Sequence, residues 1–353
     1  MKVLSLYDGM ACGILALIKA EIEIESYDAF EIDKYAIQTA THNFPMIRQH
    51  GDVFNADFTQ FKGVDLLCGG SPCTYWSIAQ KNNRETEASG MGWELFCQYV
   101  RAVKEAGPKF FVYENNKSMS AAIRESIDKA FGFEAVLINS ALVSAQNRQR
   151  LYWVGKRNDD GTYSKVDVEQ PEDKGILLKD ILETGLDLTG NEKGYTLTAS
   201  YNGAVAWNTI ERSQRNMVAE PVKYCNDKNM EHLMRPFGSK AKIVSKKTDK
   251  SPTLLAAMGT GGGNGIYYAE NLENTNKPSY EVKNGLITIK GKQYPIKLAD
   301  GFYIIRKLTV KECMRLQTVP EWYEFPVSNS QAYKMLGNGW TVDVIAHIFK
   351  HLN

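Results

Sequence analysis

One cysteine stands where a buried strand should end, and it could act as a nucleophile. The segment Leu66–Gly70 is typical of an apolar strand that stops at two glycines, and Ser71 and Pro72 then place Cys73 on a tight, exposed loop. In α/β proteins the carboxyl ends of the strands are where ligands bind and chemistry takes place. From this segment alone, a reactive thiol and a packed loop cysteine remain equally open.

A second group of residues, near the amino terminus, has the pattern of a cofactor site. The chain opens with a predicted strand, and Asp8–Gly13 forms a glycine-bearing turn into a helix. Glu31 ends the next predicted strand 23 residues after Asp8, near the spacing at which a carboxylate meets ribose hydroxyls. The turn lacks Gly-x-Gly-x-x-Gly, which disfavours a dinucleotide, so we expect a ribose-containing cofactor without a pyrophosphate, S-adenosylmethionine. Asp52 and Val53 could flank its adenine, although a turn or helix cap explains Asp52 equally well.

Two further polar clusters follow apolar runs. Glu114–Asn116 ends a predicted strand, on the same edge as Cys73 if the sheet is parallel. Gln146, Arg148 and Arg150 alternate, so an extended backbone would point all three side chains to one face. Two arginines on one face suit the recognition of an anion or a base, although surface ion pairing is the commoner explanation.

The order of the elements predicts an α/β fold, a Rossmann-like sheet with helices on both faces. A chain of 353 residues can hold two domains, or one domain with a large insertion. From about residue 157 the pattern changes to short β-like pieces rich in Asn, Gly, Lys and Asp. We therefore predict a catalytic and cofactor-binding domain over 1–156, a smaller, mostly β or irregular domain over 157–302, and a return to the first domain over 303–353.

Composition excludes several classes of protein. The hydrophobic content of 43% and charged content of 24% are ordinary for a globular protein, and no stretch is apolar enough to cross a membrane. With no secretion signal, we expect a cytoplasmic location. The six scattered cysteines contain no Cys-x-x-Cys pair, so we predict no metal site. Residues 211–250 hold ten Lys/Arg against five Asp/Glu, which suits a phosphate backbone, although a solvated surface explains the excess equally well.

Taken together and in this order, the pieces resemble the cytosine carbon-5 methyltransferases that act on DNA. The resemblance covers about 1–156 and 303–353, and the chain departs from the usual pattern in the opening turn and at Thr74, Asn116 and Gly339. The matching segments are Asp8-Gly9-x-Ala11-Cys12-Gly13, Glu31, Gly70-Ser71-Pro72-Cys73, Glu114-Asn115, Gln146-x-Arg148-x-Arg150, Arg306-x-Leu308-Thr309-x-x-Glu312-x-x-Arg315-Leu316-Gln317 and Gly337-Asn338.

The resemblance implies a role for each polar residue of the site. Cys73 would add to carbon 6 of cytosine as a thiolate, which makes carbon 5 nucleophilic. Glu114 would bond ring nitrogen 3 and the exocyclic amine, and its carboxyl must carry a proton when it donates. Arg148 is expected to bond the base carbonyl, with Arg150 supporting the cleft. Asn115 is expected to hold the cysteine loop.

The resemblance also implies that S-adenosylmethionine is the methyl donor. We expect no metal in the site. The residues expected to bind the cofactor lie in the glycine turn, after the second predicted strand, around the cysteine loop and near the carboxyl terminus: Tyr7, Asp8, Gly9, Ala11, Cys12, Gly13, Glu31, Ile32, Asp52, Val53, Gly70, Pro72, Asn338 and Trp340.

The implied partner is double-stranded DNA, from which the target base must be flipped. The region 157–302 would be the target-recognition domain, with Arg212, Arg215 and Arg235 as candidate readers. We expect a monomer, with any cognate restriction endonuclease acting separately.

Three alternatives remain. The same chemistry on transfer RNA is the nearest, and the long variable region favours DNA over it. A non-catalytic DNA-binding relative is disfavoured by the presence of Cys73, Glu114 and Arg148 together. A nucleotide-dependent oxidoreductase is disfavoured by the missing glycine motif.

Overall fold

A computed structural model describes residues 1–77, 84–222, 224–225, 231–232, 268–269 and 279–352. The chain divides into two compact units. The first consists of Met1–Ile181, Thr196–Asn202 and Val310–Asn353, and the second of Leu182–Tyr195 and Gly203–Thr309. In the described part of the chain no helix is both long and apolar enough to cross a membrane.

The first unit is built on an eight-stranded mixed sheet. Its order is β3-β2-β1-β4-β5-β7-β6, with β8 paired to β7. Strands β1 to β5 pair in parallel, whereas β7 runs antiparallel to β5, β6 and β8. The strands are β1 Lys2–Leu6, β2 Ser26–Phe30, β3 Arg48–Gln49, β4 Leu66–Gly69, β5 Phe110–Asn116, β6 Val136–Asn139, β7 Gln149–Arg157 and β8 Tyr163–Lys165.

The helices of the described residues belong to the first unit except for α6, which belongs to the second. Helices α2 and α4 begin after Asp33 and Ser120, and the side chain of each of these residues caps the first turn of its helix. The helices are α1 Cys12–Lys19, α2 Lys34–Asn43, α3 Gly90–Ala106, α4 Ala121–Phe131, α5 Leu178–Ile181, α6 Ala206–Arg212, α7 Val310–Leu316, α8 Asn329–Asn338 and α9 Val342–Phe349.

Alternating strand residues give both faces of the first sheet an apolar layer. On one face, Leu6 and Tyr113 belong to a core cluster with Phe96 of α3 and Ile123 of α4. On the other face α1 packs against the sheet, and a Cβ atom at Gly13 would lie 2.6 Å from the Tyr27 hydroxyl. Helices therefore cover both faces, and the predicted Rossmann-like α/β fold is confirmed.

The second unit is mostly β, as predicted. Six antiparallel strands pair in the order β16-β15-β14-β17-β10-β9, and three short strands pair in the order β12-β11-β13. The strands are β9 Leu186–Asp187, β10 Met217–Pro221, β11 Tyr224–Cys225, β12 Glu231–His232, β13 Tyr268–Ala269, β14 Ser279–Lys283, β15 Leu286–Ile289, β16 Lys292–Pro295 and β17 Gly301–Lys307.

The two units divide the chain at other residues than the predicted boundaries, 157 and 302. Strand β8 extends the first sheet through its pairing with β7, and α5 packs on α7, so the first unit continues to Ile181. Strand β17 lies between β14 and β10 in the second sheet, so the chain returns at Val310. Strand pairing across the chain, which local patterns do not reveal, moves both boundaries.

Gly337 and Asn338 form the last turn of α8. A Cβ atom at Gly337 would lie 2.2 Å from the Thr198 carbonyl carbon, so close packing of two backbones requires this glycine. The predicted reader Arg235 and the glycine-rich run 259–265 lie outside the described residues.

Candidate active site

One cleft at the edge of the first sheet contains most of the predicted site residues. Strands β1, β2, β4 and β5 all end at this edge, and β7 begins there because it runs antiparallel to β5. The predicted residues that line the cleft are Tyr7, Asp8, Gly9, Cys12, Glu31, Gly70, Pro72, Glu114, Arg148, Arg150, Asn338 and Trp340.

Glu114 lies at the centre of the polar part of the cleft. Its Oε1 is 2.9 Å from Nε of Arg150, and its Oε2 accepts a hydrogen bond of 3.1 Å from Nε1 of Trp340. The Glu114 and Arg150 side chains are only 12% and 15% exposed, so water screens their attraction weakly. A Cβ atom at Gly70 would lie 2.9 Å from Oε2, so a glycine there lets the cysteine loop approach the carboxylate.

Asn115 lies behind the cleft and supports the cysteine loop. Its Nδ2 donates to the Ser71 carbonyl at 3.2 Å and to the Tyr113 hydroxyl at 3.2 Å. Ser71 and Tyr113 share a further hydrogen bond of 2.6 Å between their hydroxyls. Cys73 begins a 3-10 turn that runs to Tyr75, and its side chain lies outside the described part of the structure. Buried hydrogen bonds thus hold the backbone two residues before Cys73.

Arg148 and Arg150 have different surroundings. The Arg148 guanidinium is buried and donates to three carbonyls, those of Leu197 at 2.9 Å, Gly339 at 2.9 Å and Gly337 at 3.2 Å. Strand β7 begins only after Arg148, and both arginines line the cleft. Arg150, within the strand, is the arginine that contacts Glu114.

Gln146 is buried as well, and it holds the interior together rather than facing the cleft. Its Nε2 donates to the Leu316 carbonyl at 2.7 Å and to Oε1 of Gln317 at 2.8 Å. The side chain of Gln146 therefore connects the segment before β7 to the end of α7, so its role is structural.

The turn after β1 combines an unusual backbone with a buried carboxylate. Tyr7 and Ala11 have φ values of 58° and 59°, a left-handed conformation that side chains other than glycine seldom adopt. Oδ1 of Asp8 accepts hydrogen bonds from Ser5 and Tyr27 at 2.7 and 2.6 Å. Oδ2 of Asp8 is buried and has no hydrogen-bond partner among the described residues. Burial raises the pKa of Asp8 to about 6, against the lowering effect of the two hydroxyls.

Glu31 ties the end of β2 to this turn. Its Oε2 accepts from the Gly9 amide at 2.8 Å, and its Oε1 accepts from the amides of Ile32 and Asp33 at 2.8 Å each. The Ile32 side chain is 74% exposed and lies outside the cleft lining. Lys334 of α8 lines the cleft and bonds Asp33 at 2.7 Å.

The remaining predicted cofactor residues have structural positions outside the cleft lining. Asp52 caps a 3-10 turn by accepting from the Phe54 amide at 3.0 Å, which is the cap alternative for this residue. Val53 is buried in the core cluster. Ala11 is the N-cap residue that precedes α1, and Gly13 packs against the sheet.

Several lining residues carried no recognisable signal in the sequence. Ser5 is a strand residue three positions before Asp8, and Lys334 is one of many lysines, so only the fold reveals their place in the cleft. The lining residues that were not predicted are Ser5, Met10, Asp33, Ala36, Ser71, Thr74, Lys334, Met335 and Gly339.

The other described thiols are poor nucleophiles. Cys12, Cys68 and Cys313 are buried, and burial raises the pKa of each, to about 12 for Cys12 and Cys68. Cys97 is exposed, and partial burial of its thiol together with nearby Glu94 raises its pKa too. These thiols stay protonated at neutral pH. Among the described residues no cluster of His, Cys, Asp and Glu could hold a metal ion.

The fold and the cleft define a class of protein before any comparison. An α/β sheet with a tight turn after β1, a carboxylate after β2 and polar residues at the same edge is typical of an enzyme that binds a nucleoside-containing cofactor. The comparison with known proteins is more specific, because residues 1–353 match the family C-5 cytosine-specific DNA methylase. The chain belongs to this family, and it is a DNA (cytosine-5)-methyltransferase.

Individual relatives support this assignment over the whole chain. The orphan methyltransferase M.SPRI of Bacillus phage SPR is 27% identical, and the alignment covers 100% of this chain and 97% of the relative. The type II methyltransferase M1.ScrFI of Lactococcus lactis subsp. cremoris is 28% identical, with coverage of 98% and 76%. A DNMT2 mutant from Spodoptera frugiperda has a similar fold, with a TM-score of 0.57, 17% identity and coverage of 99% of both chains.

We expect Asp8→Asn to stabilise the ligand-free protein at pH 8 and not at pH 4. Because the folded-state pKa of Asp8, about 6, lies above its ordinary value of 3.8, stability is lost as the pH rises through about 6. An uncharged side chain removes that loss, so the free energy of unfolding of Asp8→Asn at pH 8 should exceed that of the wild type by about 3 kcal/mol. Urea unfolding from pH 4 to pH 8 measures it, with the exposed Asp159→Asn as control. A gain that is the same at both pH values would contradict the prediction.

Proposed function

We propose that this chain methylates carbon 5 of cytosine within a specific double-stranded DNA sequence, through a covalent adduct between Cys73 and a flipped base. The main observation in support of this proposal is that the cysteine loop, Glu114 and Arg150 lie together at one edge of the sheet. They lie beside the turn after β1, which has the pattern of a cofactor site. Flipping costs a few kcal/mol of unstacking and unpairing, which contacts in the cleft must offset.

The covalent step begins with the Cys73 thiolate. Its sulfur forms a bond to carbon 6 of the cytosine, and the electron pair of the 5,6 double bond moves to carbon 5, which becomes nucleophilic. After methyl transfer the proton on carbon 5 leaves to a base, the double bond forms again, and the sulfur departs as thiolate. The burial and raised pKa values of Cys12, Cys68 and Cys313 support Cys73 as the nucleophile.

Glu114 and Arg150 are placed to hold the base while the thiolate adds. A protonated Glu114 carboxyl donates to ring nitrogen 3, which stabilises the negative charge that develops on the ring. Arg150 has five N–H donors, of which Nε contacts Glu114 and one on Nη1 contacts the Gln149 carbonyl. Its remaining donors are free to meet the carbonyl oxygen of the base. Both terminal nitrogens of Arg148 already donate to backbone carbonyls, so the base carbonyl is assigned to Arg150 instead.

The cleft also fits S-adenosylmethionine, which supplies an electrophilic methyl group when bound. The unpartnered, buried Oδ2 of Asp8 suits a cationic or N–H donor of a ligand. The Glu31 carboxylate has about four acceptor positions and uses three for backbone amides, which leaves one for a ribose hydroxyl. Lys334, which bonds Asp33, helps to close the same end of the cleft.

Target recognition is assigned to the second unit. Arg212 is an exposed residue there, whereas Arg215 donates to the Gly203 carbonyl at 2.6 Å and is held within the unit. The monomeric state and a separately acting restriction endonuclease stay predictions.

We predict that Cys73→Ser lowers the rate of methyl transfer about 1,000-fold or more, because a serine hydroxyl is a far weaker nucleophile than a thiolate. The wild type should be trapped covalently on 5-fluorocytosine duplex DNA, and the variant should bind that DNA without a covalent adduct. Cys97→Ser, at an exposed cysteine outside the cleft, is the matched control and should keep activity. Bisulfite sequencing of DNA from cells expressing the wild type identifies the methylated sequence. Equal activity of Cys73→Ser and wild type would refute the covalent mechanism.

We predict that Glu31→Gln weakens S-adenosylmethionine binding about 10- to 100-fold, because a charge-assisted hydrogen bond to the ribose is lost. Isothermal titration calorimetry measures the affinity, and urea unfolding checks that the variant is folded. Glu23→Gln removes an exposed carboxylate of the same type and is the control. Unchanged affinity in Glu31→Gln would exclude a ribose contact.

We predict that Arg150→Lys lowers kcat at least about 10-fold with little loss of stability, because an ammonium cannot bond Glu114 and the base in one plane. Arg148→Lys should instead lower the free energy of unfolding by roughly 1 to 3 kcal/mol, because buried carbonyls lose their donors. Steady-state kinetics and urea unfolding of both variants separate the two roles. A stable Arg148→Lys protein with a greatly reduced kcat would show that Arg148, and not Arg150, bonds the carbonyl oxygen of the base.

A further inference from the structure

The second unit holds two cations against one aromatic ring. Trp207 lies in α6, and the guanidinium carbon of Arg212 is 4.5 Å from the centre of the Trp207 ring. The ammonium of Lys290, from the turn between β15 and β16, is 4.7 Å from the same ring. Arg212 and Lys290 are exposed, and Trp207 is half-buried. An arginine and a lysine 78 residues apart in sequence are thus gathered beside one indole.

Within the described ranges, neither of these cations takes part in an ion pair. Glu211 precedes Arg212 directly, but neighbouring residues of a helix do not face each other. The indole attracts each cation, yet the two positive charges repel. The pair therefore becomes most favourable when an anion approaches the ring from solvent.

The backbone under Lys290 gives a second, independent reason. Two hairpin turns of this sheet have two residues each with positive φ, Asn284 and Gly285 between β14 and β15, and Lys290 and Gly291 between β15 and β16. Asn-Gly is the preferred sequence for such a turn, whereas lysine at its first position is unfavourable. A side chain that holds an unfavourable conformation on an exposed turn points to a function for its charge.

We propose that Trp207, Arg212 and Lys290 form a clamp for the sugar-phosphate backbone of the duplex DNA substrate. The inference rests on the proposed function. It adds where the protein contacts the DNA and which part of the DNA it contacts. Duplex DNA carries one negative charge about every 1.7 Å of its axis, which complements two exposed cations on one unit. Phosphate contacts position a protein on DNA and carry no sequence information directly. The clamp therefore strengthens binding to all duplexes equally.

The experiment uses Lys290→Asn, which removes the charge and supplies the residue that the turn prefers. Binding of the full chain to fluorescent duplexes is measured by anisotropy between about 50 and 200 mM salt. The slope of log K against log salt should fall by about 1 for Lys290→Asn and by about 2 when Arg212→Gln is added. The loss of affinity should be the same for a duplex that contains the target sequence and for an unrelated duplex. The melting temperature of Lys290→Asn should be equal to or above that of wild type.

Lys283→Asn is the matched control, because Lys283 is an exposed lysine of the same sheet and precedes the Asn284-Gly285 turn. It makes the same charge change away from the Trp207 ring, so its salt slope should stay at the wild-type value. Wild-type slopes in the Lys290 and Arg212 variants, or an equal fall in Lys283→Asn, would overturn the clamp.

The assay needs no methyl transfer, so it separates the clamp from the proposed function. If wild type methylates DNA and the variant slopes do not change, the clamp alone fails. If wild type binds single-stranded or structured RNA and no duplex DNA, both the clamp as stated and the DNA substrate fail.

Discussion

The antiparallel pairing of β7 with β5 is the constraint on which the site depends. In this register Arg150 pairs with Asn116, and the arginine comes within 2.9 Å of Glu114. A parallel β7 would begin at the opposite edge of the sheet, roughly 27 Å away for a strand of nine residues. Because the pair is mostly buried, loss of one partner would leave a charge that costs about 3 to 5 kcal/mol. Strand direction therefore decides whether Arg150 and Glu114 meet in the cleft.

Around this pair, the more deeply buried polar residues hold the backbone. Arg148 joins three segments through their carbonyls, and Asn115 holds the Ser71 carbonyl beside the cysteine loop. A buried polar group without a partner is costly, so each of these hydrogen bonds fixes a single arrangement. The less buried side chains, Glu114 and Arg150, are thereby held in the cleft, which suits the proposed binding of a base. Such positioning lowers the reorganisation needed when charge develops during the reaction.

The turn after β1 contains several features that destabilise the ligand-free fold. Tyr7 and Ala11 adopt left-handed backbone conformations, and Asp8 buries a carboxylate oxygen with no described partner. Residues in sparsely populated conformations cost about 1 to 3 kcal/mol each and persist where the surrounding structure holds them. A ligand that satisfies Asp8 would recover part of this cost, so the turn is better suited to a bound state than to an empty one. The turn at Lys290 in the second unit has the same left-handed backbone conformation.

The sequence by itself determined the α/β class and the family, because apolar periodicity and short motifs act within a few residues. Most of the residues that it singled out line one cleft. Only the tertiary structure decided the different surroundings of Arg148 and Arg150, the packing role of Gly337 and the return of the chain at Val310. Each of these depends on strand direction or on contacts between distant segments, and local patterns carry no information on which distant backbone will lie alongside.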